Sequence, residues 1–153
     1  MAALTRGLLL HQMHERLTLA GQPQPEDWPH LAAAGFQVVI NMRSDHKRAA
    51  HEQANATAAG LEYLHLPLPA YELEPEHLAL FHAKLNSYGG NILLHCRSAT
   101  RVALLWMLDQ IVYGRRNQAE VEAELRAAGY DNDSLATFSF CTEDYFERAG
   151  APA

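Results

Sequence analysis

The chain has 153 residues, 48% of them apolar, with a formal charge of −6 and a pI near 5.8. That length suits one compact core, so residues 1–153 are expected to form a single domain. The acidic balance excludes a broad nucleic-acid footprint, two cysteines exclude a disulfide framework, and the apolar runs are too short for a membrane span or a signal sequence. A reducing, cytoplasmic setting follows as an expectation, with neither nucleic acid nor membrane as a partner.

Leu17 to Ala20 reads as an edge strand, followed by a turn at Gly21-Gln22-Pro23 and a short helix with Pro25 near its first position, ended by Ala34-Gly35. Phe36 to Met42 is rich in β-branched residues and predicts a buried strand. Lys47 to Ala59, alanine-rich and closed by Gly60, predicts the helix after it. Leu61 to Leu66 is the next strand. Pro67 and Pro69 open a loop that runs to Glu74, and Pro75 starts an amphipathic helix with Leu78, Phe81 and Leu85 on one face. Gly89-Gly90 closes it, and Ile92, Leu93 and Leu94 form a buried strand. Val102 to Val112 predicts a helix that is apolar around most of its circumference and therefore central. Gln118 to Ala128 is a further helix, and Thr142, followed by Glu143 and Asp144, carries the signature of a helix start.

Strands alternating with helices indicate right-handed crossover units. The expected class is α/β, a three-layer domain with a central, mainly parallel sheet flanked by helices. Ligands of such sheets bind at the carboxyl ends of strands. Arg43 to Asp45, the Pro67 to Glu74 loop and the run His95-Cys96-Arg97-Ser98-Ala99-Thr100-Arg101 all follow strands, so they are expected to converge. The last run lies between a strand and a helix. Unpaired N–H groups and the positive end of the helix dipole favour negative charge there, both a thiolate at Cys96 and an anionic substrate. Arg101 adds a planar fork able to grip two oxygens.

This loop resembles that of the cysteine-dependent protein phosphatases, whose signature is His-Cys, five residues and Arg, although four intervene here. The closer resemblance is to the bacterial beta-lactamase-hydrolase-like phosphatase-domain family, which is protein tyrosine phosphatase-like and has a Cys-Arg-Ser-Gly-Thr-Arg loop of this shorter length. Leu19-Ala20-Gly21-Gln22-Pro23, Gly35 before Val38-Val39-Ile40-Asn41-Met42-Arg43, and His65-Leu66-Pro67 match that family in order and spacing. The resemblance implies a dual-specificity-phosphatase-like fold and hydrolysis of a phosphate monoester, on a protein or a small molecule, through a cysteinyl-phosphate. Cys96 would be the nucleophile and Arg101 the oxyanion-binding arginine, with Arg97, Ser98, Ala99 and Thr100 lining the substrate. His95, Arg43, Asp45 and Glu72 are the supporting candidates, His95 as a residue that orients the loop through its ring N–H. No metal or cofactor is required, and oligomeric state is left open.

Three departures bear on that implication. Ala99 stands where the family usually has glycine, which costs on the order of 1 kcal/mol if the position needs positive φ. Val102 occupies a position where a hydroxyl usually steadies the thiolate, leaving Ser98 or Thr100 to substitute. No aspartate occupies the general-acid position around Pro67 to Tyr71, so Glu72, Glu74 and Asp45 are the available carboxylates. The loop also resembles that of rhodanese-like sulfurtransferases, which would carry a persulfide on Cys96, and a noncatalytic phospho-ligand-binding module is the third reading.

Ordinary structural roles compete for several of these side chains. Arg43 is as well explained by an ion pair with Asp45 or Glu72, and Cys141 by burial beside Phe138 and Phe140, although it could also pair with Cys96 as a redox safeguard. Tyr71, Tyr88 and Tyr113 could shape an aromatic pocket, with core packing as the plainer assignment. Among nine histidines the closest pairs, His11 with His14, His46 with His51 and His77 with His82, lack a cluster that would complete a metal site.

Overall fold

The computed structural model describes Thr5 and residues 7–150. They fall into two compact units, one formed by the chain up to Leu68 with Tyr88–Val102, the other by Pro69–Ser87 with the chain from Ala103 onward.

The first unit holds a five-stranded sheet. In chain order its strands are β1 (Leu10–His14), β2 (Leu17–Ala20), β3 (Val38–Asn41), β4 (Glu62–His65) and β5 (Ile92–His95), arranged β1-β2-β5-β3-β4. Every pairing is parallel except β1 with β2, as expected for an α/β fold with a mainly parallel sheet. Every residue of β2, β3 and β5 is buried, the polar Thr18, Asn41 and His95 among them, and burial on both faces is why β3 and β5 open as apolar runs rather than alternating ones. Two helices, α1 (Trp28–Ala33) and α2 (His46–Ala58), bring Trp28, Leu31 and Ala56 onto Ala20, Val39 and Leu93 of the strands. Full burial of a side chain such as Leu31 contributes roughly 1.5–3 kcal/mol relative to exposure.

Register sets the working edge of the sheet. Ala20 pairs with His95, His95 with Asn41, and Asn41 with His65, so four parallel strands end in one row. The loops after them are then joined by their backbones: Cys96 N donates to Ala20 O at 3.2 Å, Met42 N to His95 O at 2.9 Å, and Leu66 N to Asn41 O at 2.8 Å.

In the second unit, α3 (Pro75–Leu85) buries Leu78 and Phe81 while Leu85 is half-buried. The fourth helix, α4 (Thr100–Val112), starts in the first unit and buries Leu104, Leu105, Trp106, Leu108 and Ile111 as expected. His82 of α3 and Asp109 of α4 meet at 2.7 Å. Helices α5 (Gln118–Ala127) and α6 (Asn132–Ala149) bury Val121, Leu125, Leu135 and Phe138.

Four expectations are corrected. Leu17–Ala20 is not an edge strand, because β1, a polar strand with a register shift between Gln12 and His14, lies outside it. The last helix starts at Asn132 rather than Thr142: Asp131 accepts from Ser134 N at 2.8 Å as the cap, and Thr142 is a buried residue of the helix interior. Tyr71 is 75% exposed and Tyr113 42%, so neither packs in a core. Cys141 is half-buried, and its neighbour Phe140 is exposed.

Candidate active site

Strand β5 ends at His95 and α4 begins at Thr100, two residues before the expected Val102, which leaves Cys96 to Ala99 as the turn between them. The turn closes because Ala99 adopts φ of +66° with its side chain fully buried, the left-handed conformation in which the family's usual glycine is at ease. The loop's outer side lies against the turn after β2. Gln22 N donates to Arg97 O at 3.1 Å, and a Cβ on Gly21 would sit 3.3 Å from that same oxygen, so the approach suits glycine.

Cys96 is 2% exposed, at the carboxyl end of the central strand and four residues before the helix start. The Arg97 and Ser98 N–H groups donate to no described residue, and the first turn of α4 adds the further N–H groups that a helix leaves unpaired. Arg101, half-buried in that turn, is fixed by Nη1, which donates to Met42 O at 2.8 Å and to Leu68 O at 3.3 Å. Its Nε and Nη2 donate to none of the described residues, so the fork that grips two oxygens is available. The two carbonyls belong to the segments after β3 and β4, and Arg101 thereby joins three strand ends. Val102 is buried, and the hydroxyls of Ser98 and Thr100 bond each other at 3.0 Å instead of Cys96, so neither substitutes for the missing hydroxyl among the described residues.

Beneath the loop lies a polar cluster that sequence reading missed. His95 is fully buried, with Nε2 at 2.6 Å from Glu52 Oε2 and Nδ1 at 3.2 Å from Cys96 O. Glu52, on α2, also accepts from Tyr63 OH at 2.7 Å and, on its other oxygen, from Gln22 Nε2 at 2.7 Å. Gln22 Oε1 in turn accepts from Arg43 Nη1 at 2.8 Å, while Asn41 donates to Tyr63 OH at 2.9 Å and accepts from Arg43 N at 2.9 Å. Burial pushes the Glu52 carboxyl up, but the hydrogen bonds and charge of His95, with the Tyr63 and Gln22 bonds, outweigh it and hold the group below its ordinary range. Tyr63 is pushed up by burial and by its bond to Glu52. The Gln22, Asn41, Arg43 and His95 positions of the sequence motifs are thus one connected network.

The supporting candidates separate on this geometry. Arg43 bonds Gln22 rather than forming the ion pair with Asp45 or Glu72. Burial, then the like charges of Arg48 and Arg97, lower its pKa, which marks a basic rim beside the loop. Asp45 caps α2 by accepting from Arg48 N at 3.0 Å; that backbone bond holds its carboxyl low and makes it a poor proton donor near neutral pH. Glu74 caps α3, and Glu72 sits in the second unit with φ of +55°. His65 Nε2 meets Arg43 O at 2.5 Å, which steadies the turn after β3.

Comparison with known proteins bears on this arrangement. A family model described as "Beta-lactamase hydrolase-like protein, phosphatase-like domain" matches residues 10–113. A beta-lactamase hydrolase-like protein of Xylella fastidiosa is 32% identical over 131 residues, covering 82% of this chain and 30% of its own length. A protein of the same description from Agrobacterium fabrum is 31% identical over 125 residues, covering 78% and 29%. The chain therefore spans about three tenths of the length of the curated relatives it matches. Among solved structures, a Neisseria meningitidis protein provisionally described as a phosphatase superposes with a TM-score of 0.73 at 22% identity, covering 92% of this chain and 99% of its own. TpbA of P. aeruginosa superposes with a TM-score of 0.73 at 19% identity, covering 93% and 88%, and a cysteine-to-serine form of TpbA in complex with phosphotyrosine gives 0.70 at 17%, covering 92% and 93%. At these identities the structures establish the shared fold.

Proposed function

This chain belongs to the beta-lactamase hydrolase-like protein, phosphatase-like domain family, and on that premise we propose that it is a cysteine-dependent phosphatase acting on phosphate monoesters. The observation that carries the reading is the placement of Cys96 in the short loop between β5 and α4 with Arg101 in the first turn of α4, the Arg97 and Ser98 N–H groups donating to no described residue and the Arg101 fork anchored beside them. A Cys96 thiolate attacks phosphorus in line; the S–P bond forms as the P–O bond to the leaving alcohol breaks, and that oxygen takes a proton from solvent. Water then attacks the cysteinyl-phosphate and releases phosphate and the thiolate. Charge on the equatorial oxygens is met by the loop N–H groups and by Arg101.

The substrate class in this proposal is a phosphorylated protein or a small phosphate ester. The phosphotyrosine bound to the TpbA form supports an aryl ester as the first probe. Reading residues 1–153 as one phosphatase-like domain is part of the proposal, supported by solved chains that cover about nine tenths of it. Among the described residues no helix is long and apolar enough to cross a membrane. The sulfurtransferase reading keeps one supporting observation: Asp45 and Glu74 act as helix caps, so neither is spare to serve as the general acid of ester cleavage.

Purified, reduced wild-type and Cys96→Ser proteins decide between these readings, assayed on an aryl phosphate and on thiosulfate with cyanide as acceptor. Phosphate release that requires Cys96, without thiocyanate, is the expected result. Thiocyanate alone would replace the phosphatase by a sulfurtransferase, and inactivity on both would leave an anion-binding module.

A further inference from the structure

Positive charge is not spread evenly over this acidic chain. Five of its 12 lysines and arginines, Arg43, Lys47, Arg48, Arg97 and Arg101, fall in two short segments that follow β3 and β5. Arg101 belongs to the reaction already described; the others need a separate reason. The first turn of α2 holds His46, Lys47 and Arg48 with no acidic residue, although the positive end of the helix dipole opposes cations there. Arg43 is half-buried, and burial with the like charges of Arg48 and Arg97 pushes its guanidinium pKa down. The fold gathers cations where the helix and desolvation both resist them, and a bound anion relieves that conflict.

Beside these arginines lies a hollow that the reaction does not use. Its volume is about 120 Å³, and it is bordered by residues 22–25 and by one polar stripe of α2 formed by Arg48, His51, Glu52 and Asn55. Gln22 ties the hollow to the reactive loop: its N–H donates to Arg97 O at 3.1 Å, and its Oε1 accepts from Arg43 Nη1 at 2.8 Å. Arg43 Nε and Nη2 and the side chains of Arg48, His51, Asn55 and Arg97 hydrogen-bond no described residue. The carboxyl groups that act on Arg43 are already engaged, Glu52 with His95, Tyr63 and Gln22, and Asp45 with Arg48 N at 3.0 Å. The hollow has the volume of about four waters, which suits one small anion. A phosphoryl group, with a charge of about −1.5 to −2 and three acceptor oxygens, answers several guanidinium forks better than a carboxylate with one charge and two oxygens.

We propose that this hollow is a subsite for a second phosphoryl group, so that the preferred substrate is a small bisphosphate ester: one phosphate lies on the Cys96 loop and the other is held by Arg48, with Arg43 and Arg97 as the cationic link. This rests on the phosphatase reading of the loop and narrows its substrate class.

The test is calorimetric binding to the full chain carrying Cys96→Ser, so that affinity is read apart from turnover. The probes are butyl phosphate and the terminal bisphosphates of ethane-, propane- and butanediol, whose two groups differ in spacing. At least one bisphosphate is expected to bind about tenfold or more tightly than butyl phosphate, well beyond the roughly twofold that two equivalent ends give. Arg48→Gln changes an exposed side chain that makes no hydrogen bond to a described residue, and it should bring the ratio down to about twofold. Arg16→Gln removes the same charge beside the amino end of β2 and should leave the ratio as it was. A ratio near two at every spacing overturns the subsite. Survival of the ratio in Arg48→Gln, or an equal fall in Arg16→Gln, overturns its assignment to the hollow. A phosphotyrosine peptide flanked by glutamates that binds more tightly than every bisphosphate would replace the small ester by an acidic segment of a phosphoprotein. Bisphosphate preference with no release of phosphate from an aryl ester by the wild type would keep the subsite and sink the phosphatase reading; release without the preference would do the reverse.

Discussion

Replacing Arg101 by lysine separates the two tasks of that side chain. In the structural task Nη1 reaches Met42 O at 2.8 Å and Leu68 O at 3.3 Å, and an ammonium with three donors can meet at least one of these carbonyls. One net hydrogen bond is worth about 1 kcal/mol, so the stability loss should be about that, a shift of roughly 2–4 °C in Tm for a chain of this size. The chemical task needs two parallel N–H groups on two phosphate oxygens, each a charge-assisted bond worth about 1.5–3 kcal/mol. Lysine keeps the charge but loses the fork, so about 2–4 kcal/mol of transition-state stabilisation disappears, or roughly 30- to 1,000-fold in kcat/KM at 1.4 kcal/mol per tenfold. Steady-state kinetics on an aryl phosphate beside a thermal melt reads both. Arg101→Lys within threefold of wild-type kcat/KM would refute the assignment of Arg101 as the oxyanion ligand, and a melt lowered by tens of degrees would show the carbonyl anchoring to be its main role.

Three further outcomes follow from the same geometry. Asp45→Ala removes the cap of α2 and should lower the melting temperature while leaving kcat within twofold; a large loss of kcat would restore Asp45 as a proton donor. Ala99→Gly relieves left-handed strain of about 1–2 kcal/mol, but forfeits about 0.8 kcal/mol of methyl burial and about 0.4–1 kcal/mol of unfolded-chain entropy. Chemical denaturation should therefore place it within about 1 kcal/mol of wild type. Because the Glu52 carboxyl is held below its ordinary range, its stabilising contribution is complete above about pH 4.3 and drains away as pH falls through the lower folded value. Glu52→Gln should flatten that acid limb of the stability profile, and an unchanged slope in urea melts across it would contradict the lowered Glu52 carboxyl.

The parts of the site that were legible in the sequence are those where local chemistry decides structure. Cys96 to Arg101 stood out because a polar turn between an apolar strand and an apolar helix has few other readings, and the positive φ at Ala99 followed from a glycine position filled by alanine. Val38 to Asn41 and Ile92 to His95 were recognisable because strands buried on both faces need no alternation. Glu52 was missed because a charge on an alanine-rich helix ordinarily faces water; the signal was its place three residues after Ala49 and four before Ala56, on one stripe. Its meaning depends on Tyr63 and His95, brought to it by the sheet and not by sequence proximity. The start of α6 was hidden because Asn132 and Asp133 are weak helix formers, and the acidic pair after Thr142 imitates a cap that Asp131 supplies.

Strand β1 has the opposite character to the strands it shields. Its side chains are polar or half-exposed, its ladder breaks between Gln12 and His14, and among the described residues no strand lies beyond it. The other border, β4, is four residues long and begins with exposed Glu62. Broken, short and polar borders are poor templates for another chain's backbone. Directly inside β1, however, Leu17–Ala20 is apolar apart from Thr18 and wholly buried, with backbone groups that pair on both sides. Loss of β1 would uncover a flat, greasy ribbon with unmet hydrogen bonds, and the cost would be felt first as self-association at high concentration, well away from the cysteine.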